Sequence, residues 1–168
     1  MKYSIGIDQS YRRTGIAVAG NGKIVLAESI DFGKVSKYQK RLMVTTRLEE
    51  LIEEFKPGVV IVERVRQFTG GNNAYLSMNM IKAGTELLTS ICDTAYDNGV
   101  SVYSVDTRSW RKQVVGSAVT KGEDKKRSTM EFVKEQGFNV DDDASDAACI
   151  ALYAFVKKEN RKMRKEGW

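Results

Sequence analysis

Apolar and polar side chains alternate along Lys2–Asp8, a run that ends on an acid, and the alternation predicts a strand with one buried face. A second strand is expected at Gly15–Val18 and a third at Lys23–Glu28, joined by the turn Gly20-Asn21-Gly22. Asn-Gly between apolar runs favours a tight hairpin, so the chain opens as an antiparallel meander. Ser36–Phe55 then places Leu42, Leu48, Leu51, Ile52 and Phe55 at helical spacing, and Lys56-Pro57-Gly58 stops that helix. Val59–Val65 is an almost unbroken β-branched run, the pattern of a parallel strand buried on both faces. After a glycine-rich break at Thr69–Asn73 comes a long helix from Ala74 to about Asp97, a strand at Val100–Val105 and a short helix at Thr107–Val115. A charged amphipathic helix at Lys125–Gln136 and a last helix from about Asp143 to Lys158 complete the series. The order β-β-β-α-β-α-β-α-α-α predicts an α/β fold, a mixed five-stranded sheet with helices on both faces. A length of 168 residues suits one domain, spanning 1–168 with a basic tail from about 157.

Composition removes several chemistries. Histidine is absent, which excludes Ser-His-Asp and Cys-His catalysis and histidine-ligated zinc in one step. Acid–base work must then fall to carboxylates, lysines, tyrosines or metal-activated water. Cys92 and Cys149 stand singly in apolar helical surroundings, and no CxxC pair exists, so both read as reduced core thiols. No run reaches the roughly 20 apolar residues of a membrane span. The N-terminus enters a strand directly rather than a secretory leader, which predicts a cytoplasmic protein. Lys and Arg number 27 against 22 acids, a net charge of +5 that mildly favours a polyanionic partner.

The acids carry the chemistry. Asp8 ends the first strand, where a turn-forming role is an equal reading. Glu63 interrupts an apolar strand, and a carboxylate there needs a cation, hydrogen bonds or an ion pair such as one with Arg64. Asp143 and Asp146 stand three apart and share one helix face, with small residues around them that let the helix lie close to the sheet. Asp141 and Asp142 read as helix caps. Two strand-borne acids and a helix-borne pair suit an oxygen-ligated hard cation such as Mg2+. Two such ions about 4 Å apart can flank a phosphodiester, and no histidine base is then required.

Taken together, Ile5–Gly15 (IGIDQSYRRTG), Val59–Val65 (VVIVERV) and Asp143–Ala151 (DASDAACIA) resemble the RuvC family of Holliday junction resolvases. Val114-Val115-Gly116 followed by Lys121 resembles a further motif of that family. The match spans most of residues 3–155 in order and suggests a compact phage or bacterial member. The resemblance implies a ribonuclease H-like fold, with Asp8, Glu63, Asp143 and Asp146 as metal ligands for Mg2+, or Mn2+ in its place. It implies Lys121 as a basic catalytic residue near the scissile phosphate. It further implies a homodimer that cuts opposed strands of branched DNA in pairs, built on the helix near Ala74–Asp97 with its Met78, Met80, Ile81, Leu87, Leu88 and Ile91. The family often carries an aromatic wedge three residues after the glutamate; this chain has Arg66 there and Phe68 two further on, and either can serve. Arg108, Arg111, Lys112, Lys121 and Lys125 are expected to track DNA phosphates, with Lys126 and Arg127 as either contacts or a solvated face.

Two other functions compete. A branched-DNA-binding protein without catalysis would share the basic surface, but would have no use for mutually repelling acids. An actin-like ATP phosphotransferase shares the strand–Asp–turn opening, yet needs a second nucleotide-binding half for which 168 residues leave little room.

Overall fold

Side-chain alternation in the first strands decides which residues face which helix layer. In the computed structural model, which describes residues 2–10, 12–64, 74–116 and 122–165, β1 (Tyr3–Gln9), β2 (Arg13–Gly20) and β3 (Lys23–Asp31) form the expected meander. Side chains of residues 74–81, 122–123, 125 and 157–165 fall outside that description. Asn21 and Gly22 both take positive φ, 52° and 78°, as a two-residue hairpin turn of the twist-compatible hand requires. The crossover helix α1 (Lys37–Phe55) leads to β4 (Val60–Glu63), which pairs parallel to β1. Ser36 caps α1 in a reciprocal box with Gln39, and Lys56 in the left-handed region ends it before Pro57. Helix α2 (Ala74–Asp97) then leads to β5 (Val102–Val105), parallel to β4. The sheet order is β3-β2-β1-β4-β5, the mixed five-stranded arrangement expected from the sequence.

One face carries Ile5, Ile7, Ile16, Val18, Val60 and Val62, packed on Val44, Leu48 and Leu51 of α1 and Leu87 and Ile91 of α2. The other carries Ala17, Ala19, Ile61 and Val105, packed on α5 (Asp142–Lys165) and on Val133 of α4 (Gly122–Glu135). The second face is lined by small residues because a helix lies almost against the strand backbone there. A Cβ on Gly6 would stand 2.3 Å from the Ala147 carbonyl oxygen, and one on Gly15 would stand 1.9 Å from that of Asp143. Ala144, Ala147, Ala148 and Ala151 are the matching small positions on α5, and the buried Ser4 hydroxyl donates to the Ala151 carbonyl at 2.8 Å. Glycine here supplies space rather than unusual backbone angles.

Several boundaries move from their sequence-based positions. β2 starts at Arg13 and β3 runs to Asp31, because antiparallel pairing continues through polar residues, from Arg13 opposite Asp31 onward. The short helix at 107–115 is two pieces: one turn of α3 (Thr107–Trp110), capped by Asp106, then a π-helical turn over Arg111–Val115. Helices α4 and α5 start at Gly122 and Asp142, each ahead of its expected first residue. Leu87 and Ile91 are consumed by the core and Leu88 is partly buried against it, so these three pack within the monomer rather than forming a free seam. Met78, Met80 and Ile81 lie outside the described side chains. Cys149 is buried and its thiol pushed up by desolvation, whereas Cys92 is half-buried. Among the described residues no helix is long and apolar enough to cross a membrane.

Candidate active site

Asp8 follows Ile7, which pairs with Val62 in the β1–β4 ladder, so the next step in register brings Asp8 beside Glu63. Alternation turns both away from the Ile7–Val62 core and toward the α5 face. Helix α5 begins on that face, held close by Gly6 and Gly15, and its first turns carry Asp143 and Asp146. Residues from β1, β4 and α5 therefore converge at one end of the sheet.

The electrostatics bear the mark of this crowding. Burial pushes the Asp8 carboxyl well above its ordinary range, and Glu63, Asp146 and Asp143 each push it further, against the opposing pull of Arg111. Asp146 is raised to about 6, first by desolvation and also by Glu63, although Arg111 and Thr129 favour its ionised form. Asp143 is raised by desolvation, with the Arg13 hydrogen bond pulling it back. Both Asp8 and Asp146 thus sit where a proton, or another cation, is favoured.

Three of the four acids, Glu63, Asp143 and Asp146, also have a fixed partner. The Thr107 hydroxyl donates to Glu63 Oε1, while Arg64, the ion-pair partner considered from sequence, is exposed. The Gln9 side-chain amide donates to the Glu63 carbonyl, locking β1 to β4 at the site. An Arg111 guanidinium nitrogen donates to Asp146 Oδ2 at 2.7 Å, and the guanidinium lies 4.8 Å from the Trp110 ring centre. The other Asp146 oxygen, Oδ1, is buried without a hydrogen-bond partner among the described residues. Arg13 reaches Asp143 Oδ2 through Nε at 2.7 Å, Asp142 Oδ1 at 2.9 Å and Asp141 Oδ2 at 3.4 Å. Among the described residues, Asp141, Asp142 and Asp143 are the group whose carboxylate oxygens all approach within 4.8 Å. That group has an ordinary explanation. Asp141 caps α5 through the Ala144 amide, and Arg13 and Lys126 neutralise the rest. Asp142 does not cap as expected but ion-pairs with both cations.

The basic positions divide. Arg108 and Lys112 are exposed, whereas Arg111 turns inward to Asp146 instead of presenting its charge to solvent. Lys126 holds Asp142, and Arg127 pairs with Asp124 and Glu131 along its own helix. Arg66, Phe68 and Lys121 lie outside the described residues, as does the Lys125 side chain. Sequence reasoning assigned no role to Arg13, Thr107 or Thr129. Arg13 had a signal: counting back by two from Gly15 places it on the α5 face. Thr107 and Thr129 had none, since their approach depends on how β5 and α4 pack.

A meander followed by two parallel strands, with acids on the first and fourth strands of the chain and on the last helix, is a ribonuclease H-like fold. The chain belongs to the RuvC family, crossover junction endodeoxyribonucleases, whose family model matches residues 4–154. It is accordingly a junction-cleaving nuclease of a family that depends on divalent metal. Among solved structures, RuvC of Thermus thermophilus in complex with a Holliday junction substrate superposes with a TM-score of 0.71 at 17% identity, covering 95% of this chain and 96% of that one. A further T. thermophilus RuvC structure gives 0.70 at 20% identity, covering 94% and 96%. The yeast mitochondrial Holliday junction resolvase gives 0.61 at 16% identity, covering 98% and 84%. No curated protein sequence matches the chain.

Proposed function

We propose that Asp8, Glu63, Asp143 and Asp146 hold Mg2+, with Mn2+ able to replace it, and that this centre hydrolyses phosphodiesters at four-way and related branched DNA. The observation that carries the reading is the convergence of β1, β4 and α5 on Asp8, whose proton affinity is raised first by burial and then by Glu63, Asp146 and Asp143. The donor set suits a hard cation: every candidate ligand is a carboxylate, and Asp146 keeps a buried oxygen that no described residue hydrogen-bonds. When bound, such an ion supplies Lewis-acid stabilisation of the phosphate and activation of water. The chain's own residues do the positioning. Thr107 fixes the Glu63 carboxylate, and Arg111 limits the repulsion between Asp146 and Asp8. Lys121 serves as the basic residue at the scissile phosphate, and Arg108, Lys112 and Lys125 follow the DNA backbone. The segment carrying Arg66 and Phe68 engages the branch point. The protein works on cytoplasmic DNA as one nuclease domain.

Asp8→Asn removes one ligand while leaving the basic surface intact. Gel-shift binding of a synthetic four-way junction in EDTA should be unchanged. Cleavage in Mg2+ should fall by more than the roughly hundredfold that loss of a metal ligand's supporting partner already costs. Undiminished cutting would remove Asp8 from the metal centre.

We further propose a homodimer, since an isologous pair sets two identical sites on two opposed strands of a near-twofold junction. Sedimentation at working concentration should give twice the 18.8 kDa chain mass, and cuts should map as symmetric pairs. A monomer that still makes paired cuts would contradict this.

A further inference from the structure

Three consecutive carboxylates at the start of α5 meet one guanidinium. Arg13, on β2, contacts Asp141, Asp142 and Asp143 at once, while Lys126 from α4 bonds Asp142. The three acids carry three negative charges and the two cations offset two of them. Arg13 is the cation that touches Asp143 itself, through Nε at 2.7 Å. Its place is set by the sheet: Arg13, Gly15, Ala17 and Ala19 share one face of β2, and Gly15 brings the α5 backbone down beside it. The contact is thus built in by strand register and helix approach, and the Asp143 side chain retains only 17% of its exposure.

Resting on the metal reading of Asp143, we propose that Arg13 is a positioning residue acting as a resident counter-cation: it fixes the Asp143 carboxylate and weakens the site's affinity for divalent metal. Two effects oppose each other at such a position. Orientation of Asp143 assists metal capture by pre-setting one ligand. A fixed positive charge within about 5 Å of an incoming dication repels it, at an effective dielectric near that of water, by an amount corresponding to roughly tenfold in affinity. Orientation has a substitute, because Asp143 lies in the first turns of a capped helix whose backbone is clamped at Gly6 and Gly15. The charge is not replaced by contact, since among the described residues Arg13 is the cation bonded to Asp143. Repulsion therefore wins, and removing Arg13 tightens metal binding.

The test is Mn2+ binding to the full chain without DNA, followed by the electron paramagnetic resonance signal of free Mn2+. Arg13→Ala and the length-preserving Arg13→Gln should each bind Mn2+ about tenfold more tightly than the parent, while Arg13→Lys, which keeps the charge, stays close to it. Both neutral substitutions are repeated in an Asp141→Asn, Asp142→Asn background, where tightening must persist if it belongs to Asp143 and not to the freed neighbouring acids. Unchanged or weaker binding in both neutral variants, or tightening that vanishes in that background, overturns the proposal. Asp8→Asn is titrated alongside. If it loses Mn2+ affinity while Arg13 variants do not gain it, the metal centre stands and the role of Arg13 falls. If Asp8→Asn binds as the parent does, both fall together. A merely structural role for Arg13 would loosen Asp143 and lower affinity, the opposite sign.

Discussion

Asp146→Asn should stabilise the metal-free protein at pH 8 while abolishing strand cleavage. The Asp146 carboxyl is raised from its ordinary 3.8 to about 6 by desolvation and by Glu63, even after the favourable pull of Arg111. A carboxylate with a raised folded-state pKa destabilises the fold once ionised. The folded protein binds the proton more tightly than the unfolded chain, so stability declines as pH rises from 3.8 to about 6 and stays low above that. At about 1.4 kcal/mol per tenfold change in proton affinity, the full penalty is about 3 kcal/mol. Asparagine keeps the shape and cannot ionise, so this penalty disappears. The loss of the 2.7 Å Arg111 partner is already contained in that figure, because the value of about 6 includes the pull of Arg111. The difference in melting temperature between variant and parent, in EDTA, should be largest above pH 6 and shrink toward pH 4. With Mg2+ added, the parent should gain stability and the variant should gain much less, since ligand binding to the folded state raises its stability. Loss of stability in the variant at pH 8 would show that Asp146 is held as an ordinary ion pair with Arg111. The same linkage makes metal capture proton-competitive: Mn2+ affinity of the parent should drop as pH falls through about 6.

How far the site could be read beforehand depends on whether each contact is local. The four acids stand out as candidates because each breaks a local pattern: Glu63 interrupts a β-branched run, Asp8 ends an alternating run, and Asp146 sits three residues after Asp143 on one helix face. Asp141 as a cap was legible for the same reason, since its Oδ1 meets an amide three residues on. The Arg13 contacts were not, because they span about 130 residues and exist only once β2 and α5 are in register. Likewise Thr107 reaches Glu63 through the parallel β4–β5 pairing, in which Glu63 stands opposite Val105. Arg111 shows a contact that was not legible. A basic residue in a basic stretch reads as a phosphate contact, yet the π-helical turn that begins at Arg111 directs it to Asp146. Such turns recur at functional sites because one extra residue re-aims the side chains around it. Strand ends drifted for a related reason. Ladder hydrogen bonds extend past the apolar residues that signal a strand, as from Gly15 back to Arg13.

Gly15→Ala should cost the enzyme most of its activity although the substitution adds one uncharged methyl group. The new Cβ would lie 1.9 Å from the Asp143 carbonyl oxygen and 2.4 Å from its carbonyl carbon, and both are backbone atoms that no rotamer change can move. Helix α5 must retreat from the sheet by more than an ångström at the residue that bears the Asp143 carboxylate. A second tight point at Gly6, 2.3 Å from the Ala147 oxygen, and the Ser4–Ala151 hydrogen bond resist that retreat, so the helix pivots and Asp143 moves furthest. Overpacking of this kind costs about 1–3 kcal/mol of stability. Misplacing a catalytic group by about 1 Å can cost roughly a hundredfold in rate. Stability and rate can be separated with Gly22→Ala as the comparison. That glycine has φ of +78° in the hairpin turn with nothing within 4 Å, so alanine there strains the backbone by about 1 kcal/mol and leaves α5 in place. Under conditions where both variants are fully folded by circular dichroism, Gly22→Ala should cut junctions at the parental rate. Gly15→Ala should be slower by about a hundredfold, while both bind junction DNA equally. Equal cleavage by the two variants would mean that the approach of α5 to β2 does not set the acid constellation.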